Sequence, residues 1–223
     1  MATPLDLQEQ EQLDDLKAFW KKWGNLITWV LVAVLGAYAA WNGWNYYQRD
    51  QAHKAGAMFD ELERAVQAGD ADKAGRVFSD LKERFPSTSY AEQGGLAAAR
   101  VQFDKGQLDA AQASLTWVAQ SAAQDEMRTV ARLRLAGMLL DAKKFDAALT
   151  QLDAAKSTEF SALVADRRGD VLAAMGKAAE AKSAYEAAYK AMPERVEYRR
   201  LIDAKLTALG AAPVAPAASG AKP

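Results

Sequence analysis

The chain has 223 residues, 28 lysines and arginines against 29 aspartates and glutamates, one histidine, no cysteine and 49 alanines. The near-neutral charge lacks the basic excess that phosphate-rich partners call for, and the absence of cysteine excludes disulfides, thiolate nucleophiles and cysteine zinc sites. So much alanine beside only seven phenylalanines favours helices packed closely through small side chains over a Val/Ile-rich sheet.

Residues 1–22 are polar, with Leu13, Leu16, Trp20 and Trp23 at i, i+3, i+7 and i+10. These share one helical face, which predicts an amphipathic helix leading into a membrane; the alternative is a solvated tail with scattered apolar residues. From Trp23 to Gln48 no residue is charged, between Lys21-Lys22 and Arg49-Asp50. The run is long enough for the about 20 residues that a hydrocarbon core demands, and Trp23 and Trp29 on one side with Trp41, Trp44, Tyr46 and Tyr47 on the other make an aromatic belt. A transmembrane helix over 23–48 is therefore expected. Two alternatives stand beside it: a buried core helix, and a cleaved signal peptide ending near Ala37-Tyr38-Ala39, which the acidic residues Asp6, Glu9, Glu11, Asp14 and Asp15 disfavour. Lys17, Lys21 and Lys22 before the span against Arg49 and Lys54 after it vote for an inside N-terminus.

Beyond the span a pattern recurs four times: a turn residue, an apolar or small residue two later, an alanine five later and a larger apolar residue nine later. The copies are Gly69, Ala71, Ala74, Phe78; Gly106, Leu108, Ala111, Leu115; Lys143, Phe145, Ala148, Leu152; and Gly176, Ala178, Ala181, Tyr185. Their alanines are spaced 37, 37 and 33 residues apart, and Pro86 and Pro193 follow the first and last by twelve. Glycine eases a tight turn between two antiparallel helices, and alanine lets the second helix approach the first. The larger residue fills the gap, and proline ends the second helix. Pairs of this kind bury little alone and stack into a solenoid. The pattern resembles the tetratricopeptide repeat, best in the last copy through Gly169, Gly176, Ala181, Tyr185, Ala188 and Pro193; Lys143 departs from it at the third turn. From Glu194 to Leu209, Val196, Leu201, Ile202, Leu206 and Leu209 suit a terminal capping helix, and the three prolines and two glycines of 210–223 suit a disordered tail.

The expected fold is all-α: a single N-terminal transmembrane helix, then an α-solenoid of about four helix pairs and a capping helix, within segments 1–22, 23–48, 49–209 and 210–223. Enzyme signatures are missing: no phosphate loop, GxSxG, HExxH or spaced carboxylate cluster occurs, and His53 stands alone. Asp14-Asp15 and Asp125-Glu126 read as solvated or first-turn acids, and Trp117 reads as core. No catalytic residue, cofactor or metal is expected.

The words Glu9-Gln10-Glu11-Gln12-Leu13-Asp14-Asp15-Leu16-Lys17-Ala18-Phe19-Trp20 and Gly24-Asn25, with the span and repeats, resemble the YfgM family of Gram-negative bacteria. That resemblance implies an ancillary single-pass inner-membrane subunit of the Sec translocon, with a cytoplasmic N-terminus and a periplasmic repeat domain. It implies as partners the Sec translocon channel and a PpiD-type membrane-anchored periplasmic chaperone; the function expected on that basis is an interaction module that meets unfolded, emerging secretory polypeptides directly or through the chaperone. A membrane-anchored structural adaptor for envelope assembly or cell division is the alternative function. In a stacked array the first helices line the inner surface, so their outward positions form the candidate partner groove: Phe59 and Glu63; Leu96, Arg100 and Phe103; Leu133 and Leu140; and Asp166 and Asp170.

Overall fold

A computed structural model describes residues 7–210, with side chains from residue 12 onward; the expectations for residues 1–6 and for the tail at 211–223 fall outside the described residues. Two compact units divide the chain, Met1–Gln51 and Ala52–Pro223. All regular structure among the described residues is helical.

The described part of the first unit belongs to helix α1 (Leu7–Gln67). Asp14 and Lys17 pair at 2.9 Å on its polar, exposed face. The apolar run then leaves its side chains uncovered: Trp29 and Trp41 are each 67% exposed and Leu35 64%. Only 6% of its most apolar window is buried, which sets aside the core-helix alternative, because a core helix hides its apolar surface against the rest of its own chain. Thr28 Oγ1 donates back to the Gly24 carbonyl at 2.8 Å, so this hydroxyl needs no water. The helix is a candidate membrane span by length and composition.

The second unit is a series of helix pairs. The stretch of α1 from Ala52 pairs with α2 (Ala71–Arg84), α3 (Ser89–Asp104) with α4 (Leu108–Ser121), α5 (Asp125–Asp141) with α6 (Phe145–Asp153), and α7 (Ser161–Ala174) with α8 (Ala178–Ala191); α9 (Tyr198–Ala208) follows. One backbone device closes all four pairs. Gly69, Gly106, Lys143 and Gly176 each take positive φ, at 67°, 76°, 58° and 76°. In each turn this residue's N–H bonds back to a carbonyl three residues earlier, as Gly106 to Phe103 at 2.9 Å. The next N–H reaches five back, as Gln107 to Gln102 at 2.8 Å. These paired bonds satisfy carbonyls that the helix end would otherwise orphan. Lys143 makes the same bonds, to Leu140 at 2.9 Å and, through Lys144, to Leu139 at 2.8 Å. The sequence departure at the third turn is therefore one of residue type only, and it carries the steric cost of a side chain in the left-handed region.

Just beyond each turn the repeat alanine sits at the helix contact. Ala74, Ala111, Ala148 and Ala181 are all 0% exposed, and Phe78, Leu115, Leu152 and Tyr185 four residues on are buried with them. Burial of each such large side chain contributes about 1.5–3 kcal/mol. The last pair is close enough to require glycine on the opposing helix, since a Cβ at Gly169 would collide with the Tyr185 ring. Pro86 and Pro193 stand two residues beyond the ends of α2 and α8, as the sequence predicts. Trp117 is partly buried and packs against the core, edge-to-face on Phe78 with ring centroids 5.5 Å apart.

Successive pairs stack through α3, α5 and α7, each touching the next. Polar clamps set that stacking. Arg132 of α5 donates to the carbonyls of Ala119, at 3.1 Å, and Ala154, bridging the C-terminal ends of α4 and α6, where the helix dipole favours a cation. Glu92 of α3, nearly fully buried, accepts the Ala123 N–H at 2.7 Å just ahead of α5. Asp125 opens α5 and pairs with Arg128 at 2.5 Å, so it belongs to the first turn of a helix.

Two substitutions report on this register. Ala181→Leu inserts three carbons where α7 and α8 have no free space and is expected to cost about 1–3 kcal/mol by overpacking. Lys143→Gly relieves the left-handed side chain and is expected to gain up to about 1 kcal/mol. Thermal unfolding of the unit from residue 52 onward checks both; an unchanged Tm for Ala181→Leu would refute the helix contact.

Candidate protein-binding surface

The first helices of the second, third and fourth pairs present one face to an open cavity of about 710 Å³. Helical spacing builds its central wall: Val130, Leu133, Arg134, Gly137, Met138 and Asp141 follow one another at i, i+3, i+4, i+7, i+8 and i+11 on α5. Arg100 and Phe103 face it from α3, and Leu163, Asp166 and Arg167 from α7. Phe160, before α7, and Tyr198, at the start of α9, complete it.

Four of the nine positions nominated from sequence line this cavity: Arg100, Phe103, Leu133 and Asp166. Phe103 is 43% exposed. The other five sit elsewhere. Phe59 stacks against Tyr90 at 5.6 Å beside the buried Ala55, Leu81, Phe85 and Ala91. Glu63 is on the exposed side of α1. Leu96 packs on the cluster of Ala99, Leu115 and Val118, and Leu140 on that of Ala136, Leu139 and Leu152. Asp170 is half-buried outside the cavity wall.

The two aspartates have partners within the fold. Asp166 is 1% exposed. Its Oδ2 accepts from the Tyr198 hydroxyl at 2.8 Å, and Lys205 Nζ donates to both its oxygens at 2.8 and 2.9 Å. Lys205 also donates to Asp170 at 2.6 Å, as does the Tyr185 hydroxyl at 2.9 Å. One lysine of α9 thus bridges two carboxylates one turn apart on α7, and tyrosines from α8 and α9 each add a second donor to an oxygen that the lysine contacts. Burial first, then the bond to Asp166, pushes the Tyr198 phenol up to about 12. Burial and the neighbouring Asp170 push Tyr185 well above the ordinary phenol range.

The arginines differ in their pairing. Arg167 has Asp170 at 3.6 Å. Arg134 donates to the Leu96 carbonyl at 3.0 Å, and burial followed by repulsion from Arg100 holds its guanidinium below its ordinary value. Sequence reasoning passed over Arg134, Arg167 and Tyr198. The α5 stripe was readable as a helical face, whereas the return of α9 onto α7 was not.

The helix pairs, their left-handed turns and the alanine contacts make this a tetratricopeptide-like helical repeat protein, and the model of the tetratricopeptide repeat-like domain family matches residues 17–211. The ancillary SecYEG translocon subunit of Neisseria gonorrhoeae (strain FA 1090) is 32% identical over 207 residues, covering 91% of this chain and 98% of that protein. That of Escherichia coli K12 is 31% identical over 185 residues, 82% of this chain and 87% of its own. That of Haemophilus influenzae is 26% identical, covering 82% and 89%. The chain belongs to the family of ancillary SecYEG translocon subunits. No solved structure matches it significantly.

The α9 latch yields two expectations. Lys205→Met leaves the buried Asp166 with only its tyrosine partner and is expected to cost about 3 kcal/mol, with earlier amide exchange in α9 than in α5. The phenol of Tyr198 ionises later folded, at about 12, than unfolded, near the ordinary 10, so its share of stability is complete below pH 10. That share is lost as pH rises through about 12, and Tyr198→Phe should abolish this part of the alkaline unfolding profile.

Proposed function

We propose that this chain is a non-enzymatic ancillary subunit of the Sec translocon: a single-pass inner-membrane protein whose helical-repeat unit is a protein-interaction module. In this reading residues 1–22 are cytoplasmic and the repeats periplasmic, and the module works beside a PpiD-type membrane-anchored chaperone on emerging secretory polypeptides. The observation that carries the reading is the match to translocon subunits across 91% of the chain, which takes in both the apolar helix and the repeats. Two features of this chain support it. The span exposes its apolar side chains, which calls for a lipid environment. The first helices of the repeats carry an open cavity with apolar walls, a place for a polypeptide. Asp166 and Tyr198, which line that cavity, are engaged in holding α9, a structural employment.

Purification of the full chain in a mild detergent is expected to bring down the Sec channel subunits together with the chaperone; recovery of envelope-assembly proteins alone would replace this function with that of a structural adaptor. A reporter active only outside the cytoplasm is expected to work when fused after Leu209 and to be silent at the N-terminus. Replacing Phe103 and Leu133, which both line the cavity, together by serine is expected to weaken partner capture about tenfold, the value of two lost apolar contacts of about 0.7 kcal/mol each, while the helical circular-dichroism signal persists.

A further inference from the structure

The geometry points to a particular occupant for the cavity between α3, α5 and α7: an extended acidic polypeptide segment, its carboxylates meeting Arg100 and Arg134 while the intervening apolar side chains rest on Phe103, Leu133, Met138 and Leu163. This inference rests on the proposed protein-binding role and names the partner's chemistry.

Charge on the cavity wall selects that occupant. Three guanidiniums and two carboxylates line it. Asp166 is neutralised from behind by Lys205, with both oxygens occupied, so it offers nothing to a ligand. Arg167 has Asp170 at 3.6 Å. Asp141 is seven residues from Arg134 on the same helix, about 10 Å along the axis, beyond pairing distance. Arg100 and Arg134 line the same cavity, neither is in an ion pair among the described residues, and the hydrogen bond that Arg134 makes there is to the neutral Leu96 carbonyl at 3.0 Å. Two guanidiniums on one cavity wall with no ion-pair partner among the described residues favour an anion that binds both, and each charge-assisted bond there is stronger than a neutral one. Apolar side chains surround the pair, so an inorganic anion would leave most of the wall wet, whereas a chain alternating acidic and apolar residues covers both kinds of surface. Side chains alternate along an extended strand at about 6.6 Å per pair of residues, and a space of about 710 Å³ lies within the about 300–1,000 Å³ typical of ligand sites.

The test uses the full chain in nanodiscs and short fluorescent peptides alternating leucine with aspartate, asparagine or lysine, followed by anisotropy. The aspartate peptide is expected to bind about tenfold more tightly than the asparagine peptide at low salt, and the gap should narrow at about 0.5 M salt. Arg100→Gln with Arg134→Gln should erase the preference for aspartate, with helical content and Tm measured alongside. Arg100→Gln alone, at an exposed side chain, should reduce the preference without any effect on folding. Leu133→Ser should weaken aspartate and asparagine peptides alike. Equal binding of the aspartate and asparagine peptides, or an aspartate preference that survives the double substitution, overturns the acidic-segment inference and leaves the groove standing. Failure of all three peptides to bind removes the groove itself. Displacement of the aspartate peptide by glycerol phosphate in preference to a competing aspartate peptide would reassign the arginines to a lipid headgroup and also overturn it.

Discussion

The repeat unit depends on one constraint, the close approach of two helices immediately after a left-handed turn. A residue at positive φ reverses the chain while its own N–H and the next one cap the helix just ended. The following helix is then so near its partner that only a methyl group fits between them, which is why four alanines spread over more than a hundred residues share complete burial. Larger residues four positions later fill the widening gap. Without the turn the alanine would have no partner helix to meet; without the alanine the turn would splay the pair apart and expose the apolar surface that makes stacking favourable.

Stacking creates a second problem, because a series of pairs has an end. The chain solves it with α9, which buries Ile202 and Leu206 against the last pair. The same helix sends Lys205 to two carboxylates on α7. A buried ion pair of this kind adds little net stability over an apolar contact, but it penalises any docking that leaves Asp166 uncompensated, so it fixes where the cap sits. The consequence reaches the candidate binding surface: Tyr198 enters the cavity wall because α9 is held there, and Lys205 takes Asp166 out of the cavity's charge balance, leaving three arginines against Asp141 on the wall. A device that ends the fold also sets the electrostatics of the surface beside it.

The apolar part of α1 follows different rules. Its tryptophans, tyrosines and leucines are exposed where those of the repeats are buried, although both stretches belong to one helix. The distinction lies in periodicity. From Ala55 to Ala65 buried residues return at helical spacing between charged ones, as in Ala55, Leu62 and Ala65, whereas the stretch before Gln48 is apolar on all sides and has no polar face to give to water.

Sequence alone determined the features that repeat or that act locally. An uncharged run announces a span because charge in hydrocarbon is costly, and spaced alanines with a glycine ahead of each announce helix pairs because turn sterics and helix contact are local matters. Even Lys143 could be placed by its position in the pattern, although its residue type argues against the conformation it adopts. Of the candidate groove, Arg100, Phe103, Leu133 and Asp166 could be placed on the cavity face by turn register alone. Tertiary structure decided the rest. Phe59 turns to Tyr90, a residue thirty-one positions away, and Asp166 is claimed by a lysine thirty-nine positions away. Neither partnership has a periodic signal, because each depends on how one pair is rotated against the next and where the last helix folds back. The summed packing of whole helices sets those rotations, and no short stretch of the chain encodes them.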